Sequence, residues 1–180
     1  MPYPELRHLR VPGLTLANIH YSPQFAPYKR DLEVLTNPHN VLHYKIRDRY
    51  TRLPKDTLRW QVFTVMSVKV LDKAVTRERL RRRYKEAFRE ALKRRGYDKD
   101  GKLLDGPLKS PNAKPLFGTF EVHVHGGLGF HLKFPVLVQQ AGLVIDAVQR
   151  ECQKNAGRNF NSSYGYDNDI WTQAIMRRGA

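Results

Sequence analysis

Cysteine is nearly absent: Cys152 stands alone in 180 residues. A lone thiol excludes an internal disulfide and a zinc site built from cysteines, and it fits a reducing compartment. Acid is scarce too. Asp and Glu number 17 against 32 Lys and Arg, a formal net charge of +15. That imbalance implies a polyanionic partner, nucleic acid before an anionic membrane. No apolar run approaches the ~20 residues that cross a bilayer, so no membrane partner is expected. The opening MPYPELRHLR has no apolar stretch of the kind a secretory signal needs. Also missing are paired carboxylates, a Cys–His pair and a phosphate-cradling loop at catalytic spacing. Gly126, Gly127 and Gly129 lack the spacing of a dinucleotide fingerprint. No catalytic residue, cofactor or small-molecule substrate is therefore expected.

The positive charge is concentrated between Lys73 and Gly96. Eleven bases there face only Glu78, Glu86 and Glu90, a net +8 of the chain's +15. The same stretch is amphipathic. Leu80, Tyr84, Ala87, Phe88, Ala91 and Leu92 recur at helical spacing and share one face. Arg79, Arg82, Arg89 and Lys93 lie opposite them. The pattern predicts a helix with one face in a core and the other a cationic rail. Thr76 is the expected N-cap and Gly96 the expected C′ residue. A one-sided row of cations repels itself unless a polyanion lies alongside. The residues expected to contact RNA are Lys69, Lys73, Arg77, Arg79, Arg81, Arg82, Lys85, Arg89, Lys93 and Arg94.

Around this helix the chain divides into three expected parts. Residues 1–57 read as a proline-broken extension in which aromatics alternate with bases, a composition suited to stacking on exposed RNA bases. Within it, Val41–Tyr50 fits either a helix or a strand. Residues 58–153 read as an α/β RNA-binding core. Trp60–Val70 is β-branched and aromatic, so it predicts a strand, with Val62, Phe63 and Val65 suited to mid-sheet and Met66, Val68 and Val70 alternating with a wet Ser67 and Lys69. Residues 97–115 read as a long exposed loop without calcium-binding spacing. Leu116–His125 predicts a second strand, with Phe120, Val122 and Val124 inward and Thr119, Glu121, His123 and His125 wet. His123 and His125 could ligate a metal or serve a nuclease, but no third ligand is identifiable, so no metal site is expected. Pro135–Gln153 predicts a core helix striped by Leu137, Ala141, Val144, Ile145, Val148 and Cys152 and widened by Val136, Leu143 and Ala147. Residues 154–180 read as a tail, with Trp171, Ile175 and Met176 pinning its end.

The segment SVKVLDKAVTRERLRRRYKEAFREAL resembles the signature of the protein component of bacterial ribonuclease P. Ser67, Lys69 and Val70 match its strand end, and Ala74 and Val75 its helix entry. Arg77, Arg79 and Arg82 match its arginines, and Glu86, Ala87, Phe88 and Arg89 its closing run. The family's central Asn is Glu78 here, and its Lys is Arg81. The likeness covers residues 60–150 and implies an α+β, two-layer sandwich of the ribosomal protein S5 domain 2-like kind, with a left-handed crossover. It also implies binding of a large structured RNA, with the RNA itself doing any cleavage. Joined to extended N- and C-terminal segments, the whole looks like a mitochondrial ribosomal protein. The expected partners are rRNA and neighbouring ribosomal proteins, and the expected location is the mitochondrial matrix. The alternative is a subunit of ribonuclease P assisting pre-tRNA 5′ processing.

Overall fold

In a computed structural model of the chain, residues 3–65, 74–105, 114–125 and 128–155 are described. Four strands form one sheet: β1 (Arg7–Leu9), β2 (Ala17–Ser22), β3 (Leu58–Val65) and β4 (Gly118–His125). The helices are α1 (Lys29–Thr36), α2 (His43–Arg52), α3 (Ala74–Arg94), α4 (Leu128–His131) and α5 (Phe134–Asn155). The fold is α+β. The sheet order is β1-β2-β4-β3. β1 with β2 and β2 with β4 run antiparallel, while β3 and β4 run parallel with α3 between them in sequence.

One sheet face carries the core. Ile19, Val122 and Val62 form one cross-strand row, and Tyr21, Phe120 and Trp60 another. Helices α3 and α5 pack against each other and cover this face. All six residues of the predicted α3 stripe are buried, as are all six of the predicted α5 stripe. Trp60 lies at 5.6 Å from Phe88 and 6.1 Å from Phe120, ring to ring. Burying side chains of this size contributes about 1.5–3 kcal/mol each.

The end of α3 follows from Gly96. Its φ of 78° is left-handed, its N–H donates to the Lys93 carbonyl, and the Tyr97 N–H donates to the Leu92 carbonyl. This double closure satisfies the last carbonyls and folds Tyr97 onto the core. The start differs from expectation. Ala74 is already helical, so Thr76 lies in the first turn and is not the cap.

The expected N-terminal extension is the largest correction. The described part of residues 1–57 is not separate from the core: β1 and β2 are sheet strands, and β2 pairs with β4 over six residues. Of the undecided segment Val41–Tyr50, His43 onward is helix in α2, and Val41 and Leu42 form the turn before it. β3 also takes an edge of the sheet rather than its middle, and β2 and β4 are central. Residues 66–70 of the predicted strand lie outside the described residues.

The second sheet face is covered at two of its four predicted wet positions, while His123 is half-buried and His125 exposed. Thr119 and Glu121 are 0% and 1% exposed, because the segment before α1 crosses them. The Ala26 N–H donates to Thr119 Oγ1 at 3.2 Å, and the Lys29 N–H donates to Glu121 Oε1 at 2.6 Å. Arg59 on β3 faces the rings of Phe25, Tyr28 and Tyr50 at 4.6, 5.0 and 4.7 Å. These aromatics, expected to stack on RNA, grip an arginine of their own chain. Burial pushes the Tyr28 hydroxyl up to about 12, against the opposing pull of Arg59.

The expected exposed loop is anchored over its first half. Asp98 Oδ1 accepts from the N–H groups of Asp100 and Lys102, both at 2.8 Å, and the Leu58 N–H donates to the Asp100 carbonyl. Asp98 is thus spent on a turn. Residues 106–113 lie outside the described residues, as do 156–180 with Trp171, Ile175 and Met176.

Candidate nucleic-acid interface

The buried stripe of α3 fixes which of its bases reach solvent. Arg79, Arg82, Arg89 and Lys93 are exposed, and none has a carboxylate within ion-pair distance among the described residues. Glu86 is exposed among them, and Glu78 and Glu90 flank the row while paired to Arg81 and Arg94. The ridge is therefore strongly, though not purely, cationic.

The other predicted contacts divide by environment. Arg81 pairs with Glu78 within the helix, and its Nε is buried without a hydrogen-bond partner. Arg94 pairs with Glu90 at 2.9 Å. Both cations share their charge locally, so they offer less to a phosphate than Arg82 does. Arg77 and Lys85 are half-buried. Lys69 and Lys73 lie outside the described residues.

Two basic residues omitted from the predicted interface have structural work. Arg83 donates through Nη1 and Nη2 to the carbonyls of Phe130 and Leu132, the first at 2.8 Å, tying α3 to the segment before α5. Arg95 donates through Nε and Nη2 to Asp146 of α5, at 2.5 and 2.8 Å.

Beside Arg89 the ridge opens into a shallow cleft of about 370 Å³ between α3 and the start of β3. Arg59, Lys99 and Lys102 line it with Trp60 and Tyr28, and Asp100 is the acid there. Lys99 and Lys102 extend the cationic surface beyond α3. Local pattern could not reveal this, because the Asp98 turn brings them there. A ridge of separated guanidinium groups beside a cationic cleft with an aromatic wall can hold successive phosphates and stack a base.

The two strand histidines have different settings. His125 is exposed. His123 is half-buried, stacks on Phe63 and sits 2.7 Å from Glu121 Oε2 through its Nε2. His20 of β2, which the sequence did not single out, closes on the same carboxylate. Cys152 is buried against Tyr21 and the Phe117 carbonyl, and burial pushes its thiol up, so it is a packing residue.

No helix among the described residues is long and apolar enough to cross a membrane. No protein-family model matches the chain, and neither a curated protein nor a solved structure matches it significantly.

Proposed function

We propose that this chain is a structural rRNA-binding component of a ribosome, placed in the mitochondrial matrix beside neighbouring ribosomal proteins. The observation that carries the reading is the row Arg79, Arg82, Arg89 and Lys93, solvent-facing and without acidic partners among the described residues, on a core-anchored helix. Holding four like charges in fixed register is unfavourable in isolation and favourable against a phosphate backbone. The cleft lined by Arg59, Arg89, Lys99 and Lys102 supports the same reading. In this role the protein holds folded RNA in place and leaves bond chemistry to others. The mitochondrial assignment rests on the bacterial-type motif of residues 67–89, since the described residues before β3 belong to the sheet and are not an added segment.

Glu78 favours this reading over a ribonuclease P subunit. It stands where that family has Asn, and it takes up the charge of Arg81. The test is cosedimentation of the tagged chain with mitochondrial ribosomal subunits on a gradient. Co-migration with a subunit, reduced by Arg82→Glu, is the expected result. Migration free of both subunits would refute it. Stimulated pre-tRNA cleavage on mixing with a catalytic RNA would move the assignment to ribonuclease P.

A further inference from the structure

The second sheet face gathers imidazoles around one carboxylate. His20 on β2 lies directly across from Glu121 on β4, and His8 on β1 lies directly across from His20. His123 follows Glu121 by two residues, so its side chain emerges on the same face. The rings of His20 and His123 are 4.8 Å apart at their centroids, nearly perpendicular. One donor atom from each of His20, Glu121 and His123 lies within 4.8 Å of the other two.

The carboxylate is held by its surroundings. Oε1 accepts the Lys29 N–H, and Oε2 sits 2.7 Å from His123 Nε2. Phe63 backs the His123 ring at 5.4 Å. Outer contacts of this kind orient first-shell ligands at metal centres. His20 Nδ1 is buried and has no hydrogen-bond partner among the described residues. A buried imidazole nitrogen without a partner is costly unless something fills the gap.

We propose that His20, Glu121 and His123 form a site for a divalent transition-metal ion, Zn²⁺ by the chemistry of its donors, with one position left to water. Two imidazoles and a carboxylate are a borderline-soft donor set that suits Zn²⁺ and not Mg²⁺ or Ca²⁺. Metal–ligand bonds of about 2.0–2.2 Å require donors about 3.4 Å apart, reached by small ring rotations from the present spacing. The ion satisfies His20 Nδ1 and displaces the Glu121–His123 contact. It links β2 to β4 at the carboxylate on which α1 begins, so its role is to staple the N-terminal segment to the sheet. Lys29 is exposed, and its ammonium turns to solvent when the dication enters.

The test uses the untagged full chain, stripped with chelator and desalted. Zn²⁺ is titrated calorimetrically, and Co²⁺ is followed by its visible d–d absorption. One equivalent is expected to bind with a four-coordinate Co²⁺ spectrum. His20→Gln and His123→Gln are each expected to weaken binding by about 100-fold or more, whereas His131→Gln leaves it unchanged. Binding that is absent, or equal in all three variants, overturns the site and reduces it to surface histidines. Should the two cluster variants not fold, the wild-type chain decides the matter. Its unfolding temperature is expected to rise with one equivalent of Zn²⁺, and an unchanged temperature overturns the proposal.

Discussion

The backbone N–H of Lys29 donates to Glu121 Oε1 across 2.6 Å, so a strand carboxylate serves the first turn of a helix 92 residues away. Tyr28, the residue at the N-cap of α1, makes no side-chain cap. Glu121 fills that role from β4, with its negative charge at the positive end of the helix. Glu121→Ala removes the cap and leaves a part-buried donor unpaired. It is expected to cost about 2–4 kcal/mol in urea unfolding. Glu121→Gln, which keeps an acceptor for Lys29, is expected to recover at least half of that. Equal losses in the two variants would show that the cap contributes nothing.

Arg95 binds α3 to α5 through Asp146 and does so by lying flat over Gly142. A Cβ on that glycine would stand 2.6 Å from Arg95 Nη2. The fork-to-carboxylate geometry is good, but the side chains are 30% and 46% exposed, so solvent screens the pair. A double-mutant cycle of Arg95→Ala and Asp146→Ala is expected to give about 0.5–1 kcal/mol of coupling. A value near zero would assign the α3–α5 contact to apolar packing alone.

His20 gives the fold a pH dependence of defined sign. Its folded value of about 4 lies below the unfolded 6.5. Between those limits the unfolded chain takes up a proton that the folded chain refuses, so stability falls as acid is added. Urea midpoints of the metal-free chain are expected to fall from pH 6.5 to pH 4. His20→Gln is expected to flatten that slope relative to wild type. A slope unchanged by the substitution would remove His20 as its source.

Much of this was legible in the sequence where a single element sets its own pattern. The 3.6-residue periodicity of α3 and α5 placed six residues of each helix in the core, where all are buried, though on α5 it missed Val138 and Gly142 and wrongly added the exposed Val136; the same geometry picked out Arg79, Arg82, Arg89 and Lys93 as outward. What local pattern could not carry is cover from a distant segment. Thr119 and Glu121 alternate with apolar neighbours like a wet face, and only residues 26–29 crossing above them make them buried. β2 had a signal in Ile19 and Tyr21, but six residues between Pro12 and Pro23 are too few to stand out. His20 was missed for the same reason, since its meaning comes from the residue opposite it. Lys99 and Lys102 entered the interface through a turn fixed by Asp98.

The central claim is that RNA lies along the outer face of α3, and RNA affinity measured against salt tests it most directly. Wild-type protein, Arg82→Glu and Arg150→Glu are compared on the same structured rRNA fragment. Arg150 is exposed on α5, so its variant matches the charge change on another helix. Wild-type affinity is expected to fall about a thousandfold between roughly 50 and 200 mM salt, for about six neutralised phosphates. Arg82→Glu is expected to weaken binding about tenfold and to lower the logarithmic salt slope by about 1, while Arg150→Glu stays within about threefold of wild type. A flat salt response, or equal losses in the two variants, would contradict the account.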